Sequence, residues 1–253
     1  QDEVRQKEDL LAAAAAVGML FQSEPHLLLV LQRTLDLEVS LQPDKAGAAG
    51  DVRDLILIAD SGWEIGISAK HQHEALKHSR LSNQIDFGLK WFGLPCTSDY
   101  FAEIAPTFEQ LNDYKGQNMA WSQIKDKETS VYVPVLKAFQ RELLNLDSRN
   151  PGGVARGLVS YLIGLFDFYK IVKLKNEIKI QVFNFNGSLN LPARKIQPKT
   201  KLEKLKLPSR IVEIDFRKRE NDISNTTLDL ICDNGWQLSF RLHNASTLVE
   251  PSL

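Results

Sequence analysis

The apolar residues of this 253-residue chain change their period at Lys170, and that change restricts the fold more than any other feature. Before it, Leu, Ala and Val recur at helical spacing over long stretches. After it, apolar and polar residues alternate as they do in half-buried strands. Helix is expected over residues 2–33, with a break at Ser23-Glu24-Pro25, and over 98–114, 131–147 and Val154 to Tyr169. His71 to about Phe92 is polar and expected to be largely helical, interrupted between His78 and Ser82. Strands are expected at Leu37–Leu41, Asp51–Asp60, Trp63–Lys70, Lys173–Asn184, Arg210–Arg217, Thr227–Cys232 and Trp236–His243. The last two flank Asp233-Asn234-Gly235, a tight-turn sequence. The class is α+β. The expected division is a helix-rich part, 1–169, carrying a hairpin at 51–70, and a β-rich part, 170–253, packed on the same core.

Composition narrows the partners. No apolar run reaches the roughly 18 residues that a membrane helix needs, and Leu10–Phe21, with five successive alanines, has no cationic leader. Cys96 and Cys232 support no disulfide framework, so a reducing cytoplasm is expected. Gln1 stands where a methionine would, so a longer parent chain is expected. Lys170 to Glu220 holds 14 Lys/Arg against 5 Asp/Glu, in a chain whose net charge is −1. Such asymmetry suits a polyanionic partner, although a solvated lysine-rich surface gives the same count.

The hairpin carries the candidate chemistry. Folding about Ser61-Gly62 makes paired positions sum to about 122, which sets Asp54 across from Ser68 and on the same side as Lys70. A carboxylate beside a lysine at the ends of paired strands suits metal-assisted phosphodiester cleavage: the acid holds Mg²⁺, and the amine orients water and neutralises developing charge. On spacing alone, an exposed Asp–Lys pair worth under about 1 kcal/mol is the commoner explanation. Nucleases with such a hairpin usually carry an acid two residues before the lysine, where this chain has Ser68. Glu64 shares that face but lies roughly 13 Å from Ser68 along the strand. Glu74, just beyond the strand, is the expected second metal ligand, with Asp51 as the alternative.

Four runs then become informative together: Gly50-Asp-Val-Arg-Asp-Leu-Ile56, Trp63-Glu-Ile-Gly-Ile-Ser-Ala-Lys70, the stretch from Lys70 to Ser82, and Gly235 to Ser246. With Asp86 to Cys96 and Val249 to Leu253, they resemble the HaeIII-type type II restriction endonucleases from the first helix to the last residue. That resemblance implies a PD-(D/E)XK-like, restriction-endonuclease-like core, with a mixed sheet flanked by helices. It also implies Mg²⁺ dependence and cleavage of double-stranded DNA at GGCC, a palindrome that suits a homodimer. The resemblance further implies that family members continue beyond both ends of this sequence, with an N-terminal helical segment expected outside it.

Carried over by position, Asp54 and Lys70 match the metal-binding acid and the catalytic lysine. Glu74 matches the run after them, together with His71, His73, Lys77, His78, Arg80 and Ser82, which would grip the scissile phosphate. Zinc is a rival reading of His71, His73 and His78, but neither cysteine has ligand spacing. In the last strand Gln237, Arg241, His243 and Asn244 suit groove readout, Arg241 toward guanine. Alternatively, Arg241, His243 and Asn244 buttress a turn. Lys173, Lys175, Lys179, Lys199, Lys201 and Lys204 are expected to attract phosphate without base recognition. A catalytically silent DNA-binding protein is the second expectation, because Ser68 replaces the usual acid.

Overall fold

The structure, a computed structural model, describes residues 2–33, 36–43, 50–59, 62–71, 79–220, 222–244 and 246–253. Two compact units are present. The first combines Gln1–Lys77 with Leu162–Lys206, and the second combines His78–Tyr161 with Leu207–Leu253. No helix among the described residues is long and apolar enough to cross a membrane.

The first unit opens with α1 (Asp2–Ser23) and α2 (Pro25–Arg33), separated at Glu24 as the sequence indicates. Pro25 suits the first turn of α2, where a missing N–H leaves no bond unmade. A five-stranded sheet follows, in the order β1 (Leu37–Leu41), β2 (Leu55–Ala59), β3 (Glu64–His71), β4 (Phe168–Lys173), β5 (Ile178–Phe183). All neighbours are antiparallel except β3 and β4, which run parallel. The expected division after residue 169 therefore falls inside β4. The physical reason is that β4 and β5 complete the sheet begun by the hairpin, so they cannot belong to a separate β-rich part.

The two faces of this sheet differ in chemistry. One presents Leu55, Leu57, Ile65, Ile67, Tyr169, Ile171, Ile180 and Val182, packed with Leu20 and Leu27 of the two helices. Alternation then sends Asp54, Ile56, Gly66, Ser68, Lys70, Phe168, Lys170 and Gln181 to the other face. Phe168 and Phe183 stack there at 4.7 Å between centroids.

The second unit packs helices against a three-stranded antiparallel sheet, β6 (Ile211–Lys218), β7 (Ile223–Cys232) and β8 (Gln237–Arg241). Its helices are α3 (Phe87–Phe92), α4 (Ser98–Gly116), α5 (Val133–Arg149) and α6 (Gly153–Ile163, whose last two residues fall in the first unit). An aromatic cluster forms the core: Phe87 lies 4.8 Å from Phe139, Trp91 stacks on Tyr161 at 5.0 Å, and Phe139 meets Phe240 at 5.1 Å. Between β7 and β8, Asn234 and Gly235 both adopt positive φ, 56° and 80°, as the Asn-Gly pair foretells.

Two helical expectations are corrected. The helix from Val154 stops at Ile163 and not at Tyr169, because Gly164 turns with φ 82° and packs so tightly on the Gly50 carbonyl that a Cβ would approach it to 2.2 Å. Residues 79–86 are not helical. There Leu81 exchanges backbone hydrogen bonds with Leu253 (2.7 and 2.9 Å), and helix resumes only where Asp86 caps Leu89 N–H at 2.8 Å.

Candidate active site on the five-stranded sheet

The β2–β3 hairpin pairs Leu55 with Ile67 and Ile56 with Gly66, so paired numbers sum to 122 as the turn position requires. Asp54 extends β2 by one residue: its N–H donates to the Ile67 carbonyl at 2.8 Å, and its carbonyl accepts from Gln42 N–H at 3.0 Å. Its side chain is thereby brought over the end of β3. There Asp54 Oδ2 accepts from Ser68 Oγ (3.1 Å), Ala69 N–H (2.7 Å) and Lys70 Nζ (3.1 Å). Among the described residues, Oδ1 has only a longer contact with Lys70 Nζ, at 3.4 Å.

This asymmetry matters. Among the described residues one oxygen is held by three donors and the other by one longer contact, and the Asp54 side chain is 46% exposed against 16% for Lys70. A hard, partly solvated carboxylate oxygen fits a Mg²⁺ ligand that retains several waters. Ser68 is fully buried. Its hydroxyl acts as a donor that orients Asp54, which explains how serine can stand in the position where an acid is usual without breaking the geometry. Among the described residues, no three His, Cys, Asp or Glu side chains gather into a metal cage. Glu74, His73, Lys77 and His78 lie outside the described residues. His71 ends β3 and is exposed.

Asp51 is committed elsewhere. Arg53 donates to it through Nε (2.8 Å), Nη2 (2.8 Å) and its own N–H (3.1 Å), and through Nη1 to Glu64 Oε1 at 2.9 Å. The Arg53 side chain is only 6% exposed, and its guanidinium carbon lies 4.1 Å from the centroid of the Phe166 ring. Desolvation works against this charge, but the Asp51 and Glu64 carboxylates outweigh it and hold the guanidinium above its ordinary pKa. A second basic side chain, Lys170, is buried at 4% exposure. The parallel β3–β4 register sets it directly beside Ser68 on the same face.

Sequence reasoning passed over both of these residues. Arg53 fell inside the strand expected at Asp51–Asp60, where alternation gave it no role, and Lys170 was counted into a basic run. The signal for Arg53 was present in Gly66, the one position of β3 without a side chain.

The candidates from Arg80 onward, apart from the lysines, lie in the second unit. Arg80 is exposed, whereas Ser82 is buried and its Oγ accepts from Gln84 N–H at 3.2 Å. Gln237 and Arg241 share the outer face of β8, and His243 is exposed just beyond it. Asn244 accepts from Lys127 Nζ at 3.0 Å and donates to the Ser246 carbonyl at 3.3 Å, the contacts of a turn buttress. Lys173 is engaged by Asp9 and Glu8, and Lys201 and Lys204 line an open groove of about 450 Å³ in the first unit.

Comparison with known proteins adds the family. The sequence model of the HaeIII restriction endonuclease family matches residues 1–253. The chain is 40% identical over 245 residues to the type II restriction enzyme HaeIII of Haemophilus aegyptius, covering 96% of this chain and 75% of that one. No solved structure matches. The chain belongs to the HaeIII restriction endonuclease family.

Proposed function

We propose that this site-specific deoxyribonuclease hydrolyses both strands of duplex DNA at GGCC with Mg²⁺, using Asp54 and Lys70 as its reacting centre. The observation that carries the reading is the convergence on one carboxylate of Ser68 Oγ, Ala69 N–H and Lys70 Nζ, all within 3.1 Å of Asp54 Oδ2. Such convergence leaves Oδ1 to serve as a ligand. Glu74 is proposed as the second ligand in preference to Asp51, whose two oxygens are both engaged by Arg53.

When bound, Mg²⁺ acidifies a water and stabilises charge on the phosphorus oxygens. The protein's own groups do the rest. Ser68 and the Ala69 amide prevent Asp54 from rotating. Lys70, drawn toward Asp54 in the free enzyme, is placed to orient the attacking water and to neutralise the negative charge that develops on the phosphate. Hydrolysis leaves a 5′-phosphate and a 3′-hydroxyl. Arg241 and Gln237, on the same face at opposite ends of β8, are proposed base readers, with His71, Arg80 and the lysines at 199, 201 and 204 as phosphate contacts. Two copies related by a two-fold axis would place one such centre on each strand of a palindrome.

The test uses duplexes with and without GGCC, incubated with Mg²⁺ and either wild-type protein or Asp54→Ala. Cutting confined to the GGCC duplex and abolished by D54A, with binding retained, is the expected result. Equal cutting of both duplexes removes the specificity, and undiminished cutting by D54A removes the site. Binding by the wild type without any cutting favours a silent DNA-binding relative.

A further inference from the structure

Arg53 lies across β3 at the one position that has no side chain to obstruct it. A Cβ added to Gly66 would meet Arg53 Cδ at 2.2 Å, Arg53 Cγ at 2.8 Å and Phe168 Cβ at 3.0 Å. Gly66 and Ser68 are two residues apart, so they point to the same side of β3, as do Glu64 and Lys70. Arg53 therefore occupies the catalytic face, between Glu64 on one side and Ser68 on the other.

Its guanidinium is held from every direction that the contacts define. Asp51 takes Nε and Nη2, Glu64 takes Nη1, and Phe166 covers the plane. A forked pair of this kind fixes orientation as well as charge, which a lysine in the same place would not do. The residue so fixed is covalently joined to Asp54, the last residue before β2.

We infer that Arg53 is a positioning residue of the cleavage site. Bedded on Gly66, it neutralises Asp51 and Glu64 and fixes the chain that presents Asp54 to Ser68, Ala69 and Lys70. This rests on the reading that Asp54 is the metal-holding carboxylate. Two consequences are physical. Without the guanidinium, two carboxylates now within 2.9 Å of one cation would be left unpaired on the same face of the sheet as Asp54 and would compete with it for a divalent ion. In addition, the peptide that leads into Asp54 would lose its tether, and a shift of about 1 Å at a reacting group costs on the order of 100-fold in rate.

The experiment compares Arg53→Ala, Arg53→Lys, Gly66→Ala and the double variant R53A/G66A with wild type and D54A, each well below its own unfolding midpoint. Single-turnover cleavage and duplex binding without divalent ion are measured, together with the stoichiometry and affinity of Mn²⁺ for the DNA-free protein by calorimetry. R53A and G66A are each expected to slow cleavage on the order of 100-fold while duplex binding changes by less than about threefold. R53K should recover part of the rate, because it keeps the charge and loses the fork. The double variant should be no slower than R53A, because G66A acts by evicting the arginine. Mn²⁺ should bind R53A at the Asp51–Glu64 pair as well as at Asp54.

Wild-type cleavage by R53A or R53K, multiplying losses in the double variant, or unaltered Mn²⁺ binding by R53A would each overturn the inference. R53K carries the test if R53A does not fold. If D54A cleaves normally, the Asp54 reading fails whatever Arg53 does. If D54A is inactive and R53A is not, only the role of Arg53 falls.

Discussion

In the five-stranded sheet, charged groups crowd one end of one face. Asp54 is partly open to solvent, while the groups around it, Ser68, Arg53 and Lys170, are each below 10% exposure. In the three-stranded sheet the charges stand on the outer face in register, with Asp215 across from Asp229 and Asp229 across from Ser239. Arg217 closes that row with a fork on Asp229, at 2.7 to 3.2 Å, and a bond to Ser239 at 2.6 Å. Both regions hold a carboxylate, a cation and a serine within hydrogen-bonding distance. They differ in what is left over. Asp229 has both oxygens engaged by Arg217, with its pKa lowered mainly by that bond, so nothing remains for a ligand. Among the described residues, Asp54 has one oxygen bound by three donors and the other by a single contact of 3.4 Å. Charge clustering alone therefore does not distinguish the two regions; the proposed role of Asp54 rests on the oxygen that the described residues leave with one long contact.

The largest effect that this contrast predicts is at Lys70. Lys70→Met should lower single-turnover cleavage on the order of 100- to 1,000-fold, the usual cost of removing one group aimed at developing charge. Duplex binding should change little. Because Lys70 is one of three donors on Asp54 Oδ2, Asp54 should stay in place, held by Ser68 and Ala69. A loss of binding equal to the loss of rate would mean that Lys70 merely attracts DNA, and the distinction between the two sheets would collapse.

The part of this site that was legible in the sequence is the part made by neighbours in the chain. The turn sequence around Ser61-Gly62 sets the hairpin register by arithmetic, with paired positions summing to 122, and parity then brings Asp54, Ser68 and Lys70 together. The parallel β3–β4 pairing joins segments about a hundred residues apart, from Gly66–His71 to Phe168–Lys173, and no local pattern encodes it. For that reason Lys170 read as one more lysine of a basic run when it is in fact buried beside Ser68. The boundary expected at residue 169 failed for the same reason, since a change of period marks where strands begin and not which sheet they join. The helix from Val154 was extended too far because Leu165 and Phe166 continue its apolar pattern, yet Gly164 has already turned the chain.

A carboxylate near the opposite face of the five-stranded sheet sharpens the contrast further. Glu24, between α1 and α2, is fully buried, with Oε1 accepting from the Tyr169 hydroxyl (2.7 Å) and Asn190 N–H (2.8 Å). Burial pushes its carboxyl up to about 7, against the lowering effect of those two bonds. The fold therefore favours the protonated acid. Glu24 contributes its full stability below the unfolded value of 4.5, and that contribution declines as pH rises to about 7 and stays lost above it. The amount is on the order of 3 kcal/mol. Glu24→Gln should remove the slope, so that thermal unfolding midpoints at pH 5 and pH 8 differ less in the variant than in wild type. An unchanged slope would assign the pH dependence to other groups.

The smallest effect is predicted for the charge row of the three-stranded sheet. Arg217 and Asp229 are 43% and 39% exposed, so water screens the pair even though its geometry is forked. A double-mutant cycle with Arg217→Ala and Asp229→Ala should give a coupling energy below about 1 kcal/mol. One feature argues for a value near the top of that range: Asp215 faces Asp229 directly, so deleting the arginine leaves two carboxylates opposed across the strands, a destabilising arrangement. Asp229→Asn in the R217A background relieves that repulsion and should recover most of the loss. If coupling instead reached several kcal/mol, or if cleavage fell with stability intact, the outer face of the three-stranded sheet would have to be counted with Asp54 as a place where charge is kept for work. An exposed row in which both Asp229 oxygens are held by Arg217 gives no physical reason for that.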